Sequence, residues 1–304
     1  MAFTFGLGVT LLFPLRFGAA AATIEHASPP EILEAIAKHG VTHLGTAPTA
    51  YKAMLSEPPR DSPLMRDCPS PLDGALKTLR TCISAGEHLP EAIWRGWHER
   101  TGIAITDGIG ATEMMHIFVS AAGEDIRPGA TGKAVPGYEV SVLDPANQPL
   151  FEGVGRLAVK GPTGCRYLDD PRQAAYVQRG WNLTGDTFVR DDDGYFWYQA
   201  RSDDMIISSG YNIAAPEVEE ALLKHPAVSE CAVVGVPDEA RGMLVKAYVV
   251  TAAGSGEVTA GELQDFVKAE IAPYKYPRAI EFVAELPRTA TGKLQRFRLR
   301  EPHA

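Results

Sequence analysis

Between Ser28 and Glu113 helix signals alternate regularly with strand signals. "SPPEILEAIAKHG" opens with Ser28 as an N-cap, Pro29 in the first turn and Glu31 three residues after the cap, and it closes on Gly40. That is the punctuation of a complete helix. "VTHLGTAP" then reads as a short strand, "TAYKAML" as a helix start, "LKTLRTCISAG" as a strand, "PEAIWRGWHERTG" as a helix, and "IAITDGIGATE" follows. Strand and helix in turn imply a mainly parallel sheet covered by helices. Ligands of such sheets bind outside the carboxyl ends of the strands, in the loops that follow them. Two loops therefore matter: Ser84–Leu89 and Asp107–His116.

Beyond about Glu124 the chain turns to short runs rich in Gly, Pro and Val, such as "GKAVPGYEVSVLD" and "GVGRLAVKG". These read as strands and tight turns of a small β subdomain. "DDDGYFWYQARSDDMIISSGYNI" runs strand, charged link, strand, and the remainder mixes two amphipathic helices with Val-rich strands. The fold class expected is α/β. A partial large domain over residues 1–201, with a mainly parallel sheet and the β subdomain, precedes a mobile α+β domain over 202–304. The boundary is placed near Ser202, where charges cluster without apolar periodicity. The apolar start, "MAFTFGLGVTLLFPLRFGAAAAT", ends in small residues as secretory leaders do, but its cation Arg16 follows the apolar run and Pro14 interrupts it. It reads as a core helix and strand of a domain that starts abruptly.

Composition narrows the function. The chain has 304 residues and a formal charge of −9, which argues against a nucleic-acid partner. Pro14 also leaves no unbroken apolar run of about 20 residues for a membrane span. Cys68, Cys82, Cys165 and Cys231 stand far apart without a CxxC pair, so they read as reduced thiols of a cytoplasmic protein rather than as a zinc site or disulfide framework.

The loops can then be read as chemistry. "DGIGATEMMHIF" sets Gly108 and Gly110 where backbone can approach a ligand, then offers the Thr112 hydroxyl and the Glu113 carboxylate. That pair suits a phosphate carrying Mg²⁺, although Thr-Glu after a glycine also marks an ordinary helix N-terminus. Gly86 of "SAGEHLP" marks a turn. Asp186 of "TGD" and Arg201 of "YQARSDD" can grip the two hydroxyls of a ribose, or form only a surface ion pair. Near the carboxyl end, "LPRTATGKLQRF" presents Lys293 beyond a glycine turn, as a fixed cation or as part of a solvated basic tail.

Taken in order, "SAGEHLP", "DGIGATE", "TGD", "ARSDDMIISSGYNIAAPEVE" and "RTATGK" resemble the adenylate-forming (AMP-binding) superfamily. The resemblance runs from Phe3 to Arg300. "AFTFGLG", "DGIGATEMMHIF" and "KYPRAIEFVAELPRTATGKLQRF" look most like the benzoate- and 2-aminobenzoate-CoA ligase branch. It implies an acid-CoA ligase that joins a carboxylate to ATP, giving an acyl-adenylate and pyrophosphate, and then passes the acyl group to coenzyme A with release of AMP.

By the same resemblance, Lys293 is the catalytic cation, turned into the site by Gly292, with Thr289 and Thr291 holding its loop. Gly86 and Glu87 line the adenine, while Asp107, Gly108, Ile109 and Gly110 border the nucleotide and the ring. Thr112 binds phosphate, Glu113 binds Mg²⁺, and Asp186 and Arg201 hold the ribose. Phe5, Ala85, Ile109 and His116 line an aryl slot. His116 is placed one turn into a helix, a position where a core histidine is also common. Asp203 is the hinge on which the small domain swings, and Ser209, Gly210 and Tyr211 line a pantetheine tunnel. Arg241, Lys246 or Lys275 is the candidate partner for CoA phosphates.

One departure stands out. The family's Ser/Thr/Gly-rich phosphate loop ending in lysine does not occur among the 304 residues. The chain reads as a carboxyl-terminal portion, expected to have little or no ligase activity alone. The competing readings are a nucleotide- or CoA-binding remnant, one half of a split enzyme, and an adenylation enzyme loading a carrier protein. The sequence does not select among benzoate, 2-aminobenzoate, hydroxybenzoate and medium-chain acids. Nor does it fix the oligomeric state, a homodimer being one option.

Overall fold

The computed structural model describes residues 4–56, 71–151, 153–164, 166–201, 204–252, 254, 256, 258–288 and 294–300. The chain divides into two compact units, one of residues 1–184 with 188–198 and the other of 185–187 with 199–304. Ser202, Asp203, Cys68, Cys165 and the segment 289–293 with Lys293 lie outside the described residues.

The first unit begins with a helical segment over residues 4–17 that contains a π-helical turn at Gly8–Leu12. Gly18 ends it in a left-handed conformation, φ 66°. The expectation of a core helix followed by a strand is corrected here. Residues 18–28 form no strand, and Leu15 and Phe17 are 73% and 78% exposed. Apolar content alone does not bury every residue of a segment: its Phe5 and Phe13 rings meet His116, while Leu15 and Phe17 stay exposed.

The helix α1 (Pro29–His39) follows as its sequence dictates. The Glu31 carboxylate accepts from the Ser28 amide at 3.3 Å and from its hydroxyl at 2.5 Å, and Gly40 closes the helix at φ 61°. Then come β1 (His43–Thr46), α2 (Pro48–Leu55), α3 (Pro71–Leu76), β2 (Thr81–Ser84), α4 (Glu91–Thr101) and β3 (Ile105–Gly110). The three strands pair in parallel, in the order β1-β2-β3. Their helix-side core contains Leu33, Ile36, Tyr51, Met54, Cys82, Trp97 and Ile105. Tyr51 ties α2 to the sheet, donating from its phenol to the Ile83 carbonyl at 2.9 Å, with its ring edge-on to Trp97.

Two antiparallel strands, β4 (Ile117–Ser120) and β5 (Lys133–Ala134), extend this sheet beyond β3. β5 is the "KA" near the start of the stretch assigned from sequence to the β subdomain, so the subdomain's strands begin later. It consists of β6 (Glu139–Leu143), β7 (Pro149–Leu150), β8 (Val154–Lys160), β9 (Val177–Gln178), β10 (Trp181–Arg190) and β11 (Phe196–Arg201). Its order is β11-β10-β8-β6-β7, with β9 paired to β10. Met114, Phe118, Val140, Leu157, Phe188 and Phe196 share one core, which fixes the end of β3 and the turn after it against this second sheet.

The second unit has an antiparallel sheet, β12 (Met205–Ser208), β13 (Tyr211–Ala214), β14 (Val228–Asp238) and β15 (Gly242–Thr251), joined in parallel by β16 (Ala279–Phe282). The helices α5 (Ala215–Leu223) and α6 (Ala260–Glu270) bury Val218, Leu222, Leu263 and Val267 against Val233, Val245 and Val249. Thr259 caps α6, accepting from the Glu262 amide at 3.2 Å.

Candidate functional site

In the first unit the predicted residues gather at the carboxyl ends of β2 and β3. Ala85, Gly86 and Glu87 follow β2, and Gly86 turns the chain at φ 91°. Asp107 to Gly110 belong to β3 itself rather than to a loop, which corrects the sequence reading of that stretch. Pairing with β4 extends the strand this far, since Gly108 sits opposite Ser120 and Ile109 opposite Val119. Gly110 is required by space: a Cβ there would stand 2.5 Å from the His116 carbonyl oxygen.

Thr112–Met114 form a single 3-10 turn, not the start of a longer helix. The next residue, Met115, has φ 68° and ψ −44°, and the His116 amide donates to the Met114 carbonyl at 2.9 Å. This is a γ-turn of the strained hand, rare for a residue with a side chain. His116 is therefore not one turn into a helix; it stands immediately before β4. The reversal at Met115 carries the chain from the Thr112–Glu113 pair back to His116 within three residues.

Asp107 and Ser84 are register partners on neighbouring strands. Asp107 Oδ1 and Ser84 Oγ are buried, and neither has a hydrogen-bond partner among the described residues. Burial pushes the Asp107 carboxyl up to about 7, with the nearby Ser84 hydroxyl and the Gly108 amide offsetting part of the rise. Asp107 also borders a small cavity with Trp94, Ile105, Arg127 and Thr131.

His116 lies between the Phe13 ring, edge-on with centroids 4.7 Å apart, and the Phe5 ring at 5.7 Å. Gly8, in the π-helical turn, has no room for a Cβ because the His116 ring occupies that space. Burial holds the imidazole below its usual value, against an opposing effect of the Phe5 backbone. Its Nε2 is buried with no hydrogen-bond partner among the described residues. The structure thus brings together Phe5 and His116, but through the π-helical turn, a device with no sequence signature. Nearby, His88 stacks on Tyr198 at 5.1 Å, and burial pushes its imidazole down to about 4.

Glu113 is held from a distant part of the chain. The Tyr167 phenol donates to Glu113 Oε1 at 2.5 Å, and the Thr163 hydroxyl donates to the Met114 carbonyl at 2.9 Å. Neither residue stood out in the sequence. Among the described residues no group of three or more His, Cys, Asp or Glu side chains could hold a metal ion. A lone carboxylate still suits Mg²⁺, which binds through one or two carboxylates, substrate phosphates and water.

In the second unit Arg201 Nη1 lies 3.2 Å from Asp186 Oδ1, with the arginine side chain half exposed and the aspartate largely buried. Gly185, at φ 77°, gives the guanidinium room. Ser209 and Gly210, at φ 51° and 81°, form the two-residue turn between β12 and β13. Positive φ at both positions is the hairpin geometry that matches strand twist. Ser209 accepts from the Arg241 guanidinium at 3.1 Å, and Tyr211 stacks on Tyr274 at 4.4 Å. Two of the cations considered for CoA phosphates are engaged with carboxylates, Lys246 with Glu281 at 2.8 Å and Lys275 with Glu217 at 2.5 Å.

Backbone turns and polar groups at the carboxyl edge of a parallel sheet, followed by a separate α+β unit, define a class. Residues 1–166 match the AMP-binding enzyme family and residues 217–293 match the AMP-binding enzyme C-terminal domain. The chain belongs to the AMP-binding enzyme family.

It is 43% identical to benzoate–CoA ligase of Thauera aromatica, over 98% of this chain and 56% of that protein. It is 41% identical to the mitochondrial acyl-coenzyme A synthetase ACSM4 of Rattus norvegicus, over 88% of this chain and 46% of that one. Among solved structures, the anthranilate CoA ligase AuaEII in complex with anthranoyl-AMP superposes with a TM-score of 0.86 at 38% identity, covering 98% of this chain and 57% of that one. A benzoate CoA ligase from Burkholderia xenovorans LB400 superposes with a TM-score of 0.85 at 40% identity, covering 98% and 59%. The chain thus spans about half the length of the relatives it matches. No helix among the described residues is long and apolar enough to cross a membrane.

Proposed function

We propose that this chain carries the acid- and nucleotide-binding portion of an AMP-forming acid-CoA ligase acting on an aromatic acid such as benzoate or 2-aminobenzoate. The observation that supports it most is the gathering of the post-β2 turn, the end of β3, the Thr112–Glu113 pair and His116 at one edge of the sheet. Relatives named for benzoate and anthranilate favour the aromatic substrate.

In the first half-reaction a carboxylate oxygen attacks the α-phosphorus of ATP, forming the mixed anhydride and expelling pyrophosphate. Both reactants are anions, so a preorganised cation between them lowers the barrier where repulsion is greatest. Lys293 is assigned that role. In the second, the CoA sulfur adds to the acyl carbonyl, loses its proton and displaces AMP.

Gly86 and Glu87 line the adenine, Asp107 to Gly110 border the nucleotide and the ring, and Thr112 donates to phosphate. Glu113 holds Mg²⁺, which when bound neutralises phosphate charge. Phe5, Ala85, Ile109 and His116 make the aryl slot, whose neutral imidazole presents one unsatisfied nitrogen. Asp186 and Arg201 hold the ribose, Ser209 to Tyr211 line the pantetheine path, and Asp203 is the hinge between residues 1–201 and 202–304.

The test is AMP release, with and without CoA, across benzoate, 2-aminobenzoate, hydroxybenzoates and medium-chain acids, on the whole reading frame, with little or no release expected from the 304-residue chain alone. Release that needs an aromatic acid, with thioester formed only when CoA is added, is expected. Release indifferent to the acid, or acyl transfer only to a carrier-protein thiol, overturns the reading.

A further inference from the structure

The Thr112–Met114 turn carries two groups assigned to phosphate and cation, yet it is short, exposed at Thr112 and followed by a strained residue. A single 3-10 turn does not hold a carboxylate in one place by its own hydrogen bonds. What holds it comes from the segment after β8. Thr163 donates to the Met114 carbonyl, the same oxygen that accepts the His116 amide across the γ-turn. The Thr163 oxygen is in turn 2.7 Å from the Tyr138 phenol. Four residues further on, Tyr167 donates to Glu113 Oε1. Tyr167 is itself fixed: its amide donates to Gln173 Oε1 at 2.7 Å, its ring meets Tyr176 edge-on at 5.9 Å, and Arg172 lies over the ring at 5.1 Å while paired with Asp170.

We infer that Thr163 and Tyr167 form a positioning latch for the cation-binding carboxylate, with Tyr167 occupying one oxygen of Glu113 so that the other is presented singly to a divalent cation. The latch rests on the reading of Glu113 given under the proposed function. A carboxylate free to rotate offers either oxygen or both. One pinned by a phenol offers a single oxygen in a fixed direction, which suits the octahedral demand of Mg²⁺ better than a bidentate grip. Thr163 acts on the other side of the turn, keeping the strained Met115 conformation from relaxing and carrying Glu113 away with it. Neither residue is assigned contact with substrate.

Two measurements test this, both independent of turnover. The first is hydrogen exchange of residues 112–116 in the whole chain without ligand. Tyr167→Phe and Glu113→Gln are each expected to speed exchange there about tenfold, with the double variant no faster than either single one; unchanged or additive effects overturn the latch. The second is Mn²⁺ binding in the presence of ATP, followed by electron paramagnetic resonance. Tyr167→Phe is expected to weaken Mn²⁺ about tenfold, as outer-shell substitutions at metal sites do, while the thermal midpoint stays near that of the parent. Weakening by Glu113→Gln but not by Tyr167→Phe overturns the positioning role. Binding that ignores both substitutions overturns the reading of Glu113 as the cation ligand, and that failure is distinct from failure of the exchange test.

Discussion

Asp107→Asn separates the electrostatics of the site from its shape. In the folded chain burial pushes the Asp107 carboxyl up to about 7, against a usual value of 3.8. Between those two pH values the unfolded chain gives up this proton and the folded chain keeps it. The folded state therefore binds more protons, and stability falls as pH rises through the interval. Below about 3.8 the group has no effect, and above about 7 the full cost is present. The gap corresponds to roughly 4 kcal/mol. Asp107 retains some exposure, so an observed cost of about 2–4 kcal/mol is expected.

Asparagine keeps the shape and does not titrate. All four tryptophans, Trp94, Trp97, Trp181 and Trp197, lie in the first unit, so their fluorescence follows its unfolding without reporting on the second. The midpoint of the asparagine variant relative to the parent should rise by roughly 5–15 °C between pH 4.5 and pH 8, at about 2–4 °C per kcal/mol. Any pH-independent cost of the amide cancels in that comparison. A constant difference between the two proteins across this range would refute the assignment of Asp107 as a buried, largely protonated acid.

Two further outcomes follow from the geometry. Gly110→Ala drives a Cβ to 2.5 Å from the His116 carbonyl oxygen. Backbone cannot rotate away, so the first unit should lose about 1–3 kcal/mol or more in tryptophan-monitored urea unfolding; an unchanged midpoint contradicts the close approach. His88, pushed down to about 4 in the fold from its usual 6.5, is neutral there. Its contribution to stability is complete above pH 6.5 and is lost as the pH falls toward 4. Its ring-proton NMR shift should stay flat from pH 8 to pH 5, and a midpoint near 6.5 would show the ring to be solvated.

What the sequence revealed follows the range of the interactions involved. The helices α1, α4 and α6 were legible because caps, turns and apolar periodicity act within a few residues. The parallel pairing of β1 to β3, though not their order, followed from helices standing between strands. Gly86 was legible as a turn position because few residues other than glycine adopt its backbone. Gly110 was read as making room for a ligand, whereas the space beside it is filled by the His116 backbone.

The misses are non-local. Tyr167 reaches Glu113 across 54 residues and Thr163 reaches Met114 across 49, separations at which no pattern in one sequence carries a signal. The γ-turn at Met115 has no glycine to announce it. The assignment of β5 to the wrong sheet has the same origin, because a two-residue strand is defined only by its partner. The amino-terminal stretch misled because apolar composition specifies neither helix nor strand, and burial depends on what stands opposite.

Residues after β2 and at the end of β3 are assigned the base of the acyl-adenylate and the ring of its aromatic acid, the ring lying beside His116. Isothermal titration of the 304-residue chain with benzoyl- and 2-aminobenzoyl-sulfamoyl adenosine, stable mimics of the acyl-adenylate, measures this without turnover. Saturable one-to-one binding at micromolar or lower concentration is expected, weakened about tenfold by His116→Ala, with the affinity for AMP itself left unchanged. No binding of either mimic to chain whose tryptophan fluorescence reports a folded first unit, or binding that ignores His116→Ala, would contradict it.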